Sequence, residues 1–278
     1  MRIHSHKKSA LVWLACLAAS LLPTLADDAA NNTTAKTREG PSADKSHYDL
    51  FHPTPRSLMR ELNTDRPDKT ESPITVDAGH FQIEADILSY SYDRRNPAHD
   101  ATRVESISIA PVNLKLGLCN RVDAQLILQT YNSVRIHDRA AGTVETHRGF
   151  GDVIPRVKVN FWGNDGGPTA FGVMPFVKLP TNQDQLGNHS VEGGIIFPFA
   201  MDLPAGWDVG AMTEFDFNRN STGGGYHPEF VNSITFGHGI VGRLAGYVEF
   251  FSAVSTERNS PWVGTADEIG RASCRERV

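Results

Sequence analysis

Cysteine is scarce in this 278-residue chain, with only Cys16, Cys119 and Cys274. The first and last fall in segments expected to lie outside the mature native protein, and the one thiol left makes no disulfide framework. No apolar run reaches the roughly 20 residues of a spanning helix. Basic charge is also short, with Lys+Arg 27 against Asp+Glu 32 and a net charge of -5, so the chain carries no footprint for nucleic acid. There is no G-x-x-x-x-G-K-[ST], no G-x-G-x-x-G after a strand, no H-E-x-x-H and no G-x-S-x-G, so neither an enzyme nor a nucleotide cofactor is expected. Of the 11 histidines, His137, His147, His189 and His227 fall in expected loops without paired spacing, and no metal is expected. What is present is 40% hydrophobic residues, 24 Gly, 16 Pro and a mean hydropathy of -0.32. That composition excludes disorder throughout and an all-helical membrane protein, and leaves a folded, strand-leaning class.

Both ends read differently from the middle. Arg2, Lys7 and Lys8 precede an apolar run from Ala10 to Leu22 and then Pro23-Thr24-Leu25-Ala26, the layout of a secretory signal peptide cleaved after Ala26. Cys16 sits within the run and Trp13 stands where a lipobox wants Leu, so lipidation is not expected. From residue 27 to 60 large apolar side chains are few, which predicts a flexible arm. At the other end Glu268 to Val278 matches the translation of a common sequencing adaptor, so the native coding sequence is expected to stop near Asp267. Residues 61–267 are left as the folded domain.

There the residues alternate. Phe81, Ile83, Ala85 and Ile87 oppose Gln82, Glu84 and Asp86; Val104, Ala110, Val112, Leu114, Leu116 and Leu118 oppose Glu105, Asn113 and Lys115. After a Cys119-Asn120 turn, Val122, Ala124, Leu126 and Leu128 oppose Arg121, Asp123, Gln125 and Gln129. Val153, Val157, Val159 and Phe161 oppose Asp152, Arg156, Lys158 and Asn160; Thr169 to Pro180 is apolar on both parities until Lys178. Alternation returns at Val191 to Leu203, Trp207 to Phe217, Phe230 to Phe236 and Leu244 to Val254. Period two marks strands with one apolar and one polar face. About nine are visible, each about 10 to 15 residues, against about five or six for a globular strand.

Strands of that length suit an outer-membrane barrel, whose strands need about 9 to 11 residues to cross. Short turns at Cys119-Asn120, Pro204-Ala205-Gly206 and Gly237-His238-Gly239 alternate with longer polar loops at 137–148, 181–190 and 219–227. That asymmetry belongs to a barrel with a periplasmic and an outer end. Tyr90, Tyr92, Tyr131, Trp162, Trp207 and Tyr247 stand near strand ends, either as interface girdles or as ordinary sheet packing. The expected fold is an all-β, antiparallel, up-and-down transmembrane barrel with about 12 strands when complete. Periodicity leaves a soluble sandwich open, since that fold alternates too but turns its charged face to water.

Glu61-Leu-Asn-Thr-Asp-Arg-Pro-Asp-Lys-Thr-Glu-Ser-Pro73, Val76 to Glu84, Gly149 to Val153, the Arg156-x-Lys158-x-Asn160 strand with Trp162-Gly-Asn-Asp165, Met174 to Pro180 and Ala245 to Phe251 resemble the MetA-pathway of phenol degradation family. The resemblance implies an outer-membrane transporter-like barrel passing small hydrophobic or aromatic compounds. Its expected partners are outer-membrane lipid and an unidentified small solute. Alternatives are a non-conducting structural or adhesive barrel and, more weakly, an outer-membrane hydrolase, for which Ser190 beside His189 is not the required arrangement. The candidate lumen-facing residues are the acids Glu84, Asp86, Asp123, Glu192, Asp202, Asp208, Glu214, Asp216 and Glu249 and the bases Lys115, Arg121, Arg156, Lys158 and Lys178. Mixed charge in a narrow tube favours paired networks, and an excess of acids favours cations or neutral solutes. The run Thr64 to Pro73 has two readings: a plug pairing Arg66 and Lys69 with lumen acids, or a solvated turn.

Overall fold

The computed structural model describes residues 44–66, 68–96, 102–241, 244–257 and 263–272. The expected leader, the arm as far as residue 43 and residues 273–278 lie outside the described residues. The strands are β1 (Phe81–Ala85), β2 (Leu88–Asn96), β3 (Thr102–Ile109), β4 (Val112–Cys119), β5 (Val122–Leu128), β6 (Tyr131–Asp138), β7 (Thr143–Gly149), β8 (Val153–Trp162), β9 (Thr169–Lys178), β10 (Glu192–Leu203), β11 (Trp207–Arg219), β12 (Tyr226–Val241), β13 (Leu244–Ser255) and β14 (Val263–Ala272). They pair antiparallel in two sheets, β1-β4-β5-β8-β9-β10-β11-β12-β13-β14 and β2-β3-β6-β7. β1 and β14 are the edges of the larger sheet among the described residues.

The small sheet is an upward continuation of one end of the large one. Ala85 opposite Val112 and Leu88 opposite Ile109 keep one register, as do Leu128 opposite Val153 and Asn132 opposite Gly149. Thus β1–β2, β3–β4, β5–β6 and β7–β8 are four long ribbons, and with β9 to β14 they make ten in simple up-and-down order. At the break Ala110 takes φ 47 and Pro111 offers no N–H, while Thr130 Oγ1 donates to the carbonyls of Ile109 (2.5 Å) and Ala110 (2.8 Å). The alternation of exposure slips by one residue there: Gln82 and Glu84 face inward in β1, but Leu88, Tyr90 and Tyr92 are the exposed set in β2.

The sheet is apolar outside and polar inside. Phe81 (76% exposed), Ile83 (60%) and Phe250 (50%) stand outward, with Leu116, Phe161, Val177 and Phe217, whereas Lys158 and Asp123 (0%) and Glu249 (2%) are sealed on the inner face. Aromatic rings continue the outer face across strands, with Phe215 edge-on to Phe197 and Phe230 at centroid distances of 6.0 and 5.2 Å. A water-soluble sandwich buries its apolar parity. This sheet buries the other one.

Three expectations on the chain's layout change. Residues 137–148 are not a long loop: β6 and β7 form a hairpin there, with Asp138 opposite Thr143. Their polarity belongs to strands that extend past the apolar band. Gly237-His238-Gly239 is not a turn but lies within β12, opposite Asp208 and Tyr247. Gly237 is there for room, because a Cβ would crowd the Asp208 carboxylate. Among the described residues the ribbons number ten, against about nine expected, since β14 pairs with β13 from Ala253–Val263 to Leu244–Ala272. That ladder crosses the Asp267 boundary because backbone pairing asks little of side-chain identity.

Candidate functional site: a segment across the inner face

The described part of the expected arm, from Asp44, is held against the short-turn end. Lys45 Nζ reaches Asp165 Oδ1 (2.9 Å) and Asp77 Oδ1 (3.3 Å). Arg60 donates to Asp165 Oδ1 (3.0 Å) and Asn120 Oδ1 (2.8 Å), joining the segment to the β4–β5 and β8–β9 turns. Burial pushes the Asp165 carboxyl up, but the Asn120 amide and the Lys45 and Arg60 cations outweigh it and hold the group below the ordinary carboxylate range. The flexible-arm expectation therefore gives way, from residue 44 on, to a clasp. Its low apolar content misled because polar contacts secure it.

From Arg60 to Asp77 the chain runs across the inner wall with no sheet partner, so its N–H groups turn to side chains, some its own, as with Ser72 N–H to Asp65, and others on the wall. Val76 N–H donates to Asp123 Oδ2 (3.0 Å), Thr75 N–H to Asn164 Oδ1 (3.0 Å), and the Lys69 and Thr70 N–H groups both to Glu249 Oε1 (3.0 Å each). Thr70 Oγ1 also lies 2.6 Å from Ser233 Oγ. Asn160 Nδ2 donates to the Pro73 carbonyl at 2.9 Å. Close approach is possible because glycines line the path. A Cβ on Gly117 would overlap the Asp77 carbonyl, and one on Gly210 would sit 3.3 Å from Thr70 Cγ2.

Charge fixes the register of this segment on the wall. Asp65 is buried between Lys158 (2.9 Å to Oδ1) and Lys115, which also pairs with Glu84 at 2.6 Å. Glu71 pairs with Arg156 at 2.6 Å, and Arg66 pairs with Asp86. Of the two readings of Thr64 to Pro73, the solvated turn does not fit these contacts. Arg66 meets a wall acid as the plug reading expected, while Lys69 lies over the Phe251 ring, 4.2 Å from its centroid.

The wall is mixed in charge at one side, where Glu84 on β1 and Asp123 on β5 stand beside the bases, and acidic at the other. Lys115, Arg156 and Lys158 sit on β4 and β8, facing the segment's own acids. Glu192, Asp202, Asp208, Glu214, Asp216 and Glu249 sit on β10, β11 and β13. Of the candidate residues, Glu84, Lys115, Asp123, Arg156, Lys158, Glu192 and Glu249 are buried; Asp86, Lys178, Glu214 and Asp216 are half-buried; and Arg121, Asp202 and Asp208 are exposed at strand ends. Lys178 pairs with Glu192 across β9 and β10, away from the segment. Sequence reasoning missed Lys45, Arg60, Thr70, Asp77 and Ser233. The neutral ones carry no charge signal, though Ser233 stands opposite in parity to Phe230, Ile234 and Phe236.

The segment leaves two cavities of about 430 Å³ each, with Asp68 and Glu71 bordering both. The one toward the short turns touches Asp202, Asp208, His238 and Tyr247. The one toward the long loops has a mixed lining, in which the polar Arg156, Glu71, Glu214 and Asp86 are interspersed with Ile127, Met212, Val231 and Phe251. Met212 and Val231 belong to a small buried apolar cluster with Met174 and Ile196, the inward residues of an otherwise polar wall. Such a space accepts a small molecule with a polar group and an apolar body. Among the described residues no group of three His, Cys, Asp or Glu is placed to hold a metal ion.

Among curated proteins no match is found. The family described as "Putative MetA-pathway of phenol degradation" matches residues 64–261, from within the inner segment to beyond β13. The match covers the greater part of the sequence, and the chain belongs to that family.

Proposed function

We propose that this protein is an outer-membrane β-barrel that passes small amphipathic or hydrophobic compounds by passive transport, with residues 60–77 as its internal plug. The observation that carries the reading is the inverted sheet, with Phe81, Ile83 and Phe250 outward and Lys158, Asp123 and Glu249 sealed inside. A lipid-exposed backbone must pair all its polar groups, which strands achieve in a closed sheet, and such a sheet faces hydrocarbon with its apolar residues. From Phe81 to Tyr90 and from Val122 to Tyr131 there are nine steps. At about 3.3 Å per residue and a tilt near 40° they rise roughly 23 Å, close to the height of an outer-membrane apolar band. Trp162 and Trp207 at one rim and Tyr90, Tyr131 and Tyr226 toward the other suit aromatic girdles.

The test has two stages. Expressed with its leader, the protein should sediment with envelopes, and a soluble periplasmic product would refute the membrane reading. In planar bilayers the intact protein should conduct weakly and a chain lacking residues 62–74 should conduct strongly, with preference for cations because the remaining wall is acidic. Silence from both would favour the alternative of a non-conducting structural barrel, which the filled interior supports.

A further inference from the structure

The four-stranded sheet β2-β3-β6-β7 has faces of opposite charge. Its more exposed face is graded along the strands. Nearest the large sheet come Leu88, Ile109 and Tyr131 in one cross-strand row, then Tyr90 and Ile107 in the next. Arg148 closes that second row beside Ser133, and beyond it the same face carries Arg135 beside Glu105, Arg103 opposite His137, and Arg94 near the end of β2. Arg103 pairs with Glu105 and lies over the Tyr92 ring, 5.0 Å from its centroid. The opposite face carries Asp93, Asp138 and Glu145. In a protein with a net charge of -5, four arginines with one acid among them on a single face depart from the average.

We infer that this face docks on the phosphorylated head groups of an anionic lipid in the leaflet next to the long loops. The inference rests on the membrane reading above. Its ground is that the face changes character along its strands as a leaflet does: Leu88, Ile109, Tyr131, Tyr90 and Ile107 fill the two rows nearest the large sheet, and three of the four guanidiniums, Arg135, Arg103 and Arg94, stand beyond them. Arg135 is four residues past Tyr131, which places it roughly 10 Å higher at the same rise and tilt. Arginine suits phosphate because its planar fork makes two parallel hydrogen bonds, and near an anionic surface each cation adds attraction within a Debye length. The acidic opposite face continues the inner side. A Cβ on Gly151 would meet both the side chain of Gln129, just past the end of β5, and Asn132, which stands on the acidic face.

The experiment uses the full chain purified in neutral detergent and titrated with bisphosphorylated lipid A, its dephosphorylated form, or inorganic phosphate. Retained lipid is read by native mass spectrometry. The phosphorylated lipid should be retained at least about tenfold more strongly than the dephosphorylated one, and the quadruple variant Arg94→Gln, Arg103→Gln, Arg135→Gln, Arg148→Gln should lose that preference. Raising salt from 50 to 500 mM should weaken retention by the wild-type chain, a readout that does not depend on the variant folding. Equal retention of both lipids, salt-independent retention, or equal competition by inorganic phosphate would overturn the inference. A chain that inserts into phosphocholine bilayers without such preference would refute this inference alone, whereas a chain that never inserts would refute the membrane reading.

Discussion

Lys158 has no exposed surface, and its ammonium is held by the Asp65 carboxylate and, at 3.5 Å, the Ile74 carbonyl. Replacing it with an apolar residue of similar size leaves the Asp65 carboxylate with Lys115 as its one cation partner and the Ser72 N–H as a donor, and breaking a buried ion pair costs about 3–5 kcal/mol. Lys158→Met is predicted to fall toward the low end of that range in urea unfolding and to expose residues 60–77 to protease. Asp65→Asn added to Lys158→Met should recover part of the loss, because the carboxylate that lost Lys158 is gone. Equal stability of Lys158→Met and wild type would mean that the segment is not held by this pair. The sequence showed Lys158 and Asp65 as charged residues on a polar parity and in a charged run. It did not show that they meet, since 93 residues separate them and only the sheet's curvature brings the run over the wall.

Alternation made β1, β4, β5, β8, β10, β11 and β13 legible, because one parity of each carries most of its large apolar residues and the other its charges. The hairpin β6–β7 was not legible, since past the apolar band its exposed side becomes Arg135, His137, Thr146 and Arg148 and reads like a loop. Nor could period two say which face was inside, which takes packing against a second layer. Here that layer is the segment at 60–77, whose acids and N–H groups need polar partners. A test at this scale follows from Phe250, mid-strand in β13 opposite Ile234 and facing outward. Phe250→Arg should destabilise the inserted protein by about 2–4 kcal/mol if it lies near the bilayer midplane. On a water-facing surface the same change would stay within about 0.5 kcal/mol. Equilibrium unfolding from lipid vesicles distinguishes the two values.

For the molecule as a whole, the ten ribbons, the outward aromatics and the inner segment form one arrangement. The bases of β4 and β8 take the segment's acids, Asp123 on β5 and Glu249 on β13 take N–H groups at its two ends, and the acids of β10 and β11 border the free space. The most direct test of that arrangement asks what wets the outer face. With Cys119 and Cys274 replaced, nitroxide labels are placed outward at Ile83, Leu116 and Val248 and inward at Gln125 and Ser233, and the protein is reconstituted in lipid. Electron paramagnetic resonance then compares collision with oxygen, which dissolves in hydrocarbon, and with a water-soluble nickel chelate. The account predicts that the outward labels meet oxygen and exclude nickel, while the inward labels show low oxygen accessibility. Outward labels freely struck by nickel would contradict it.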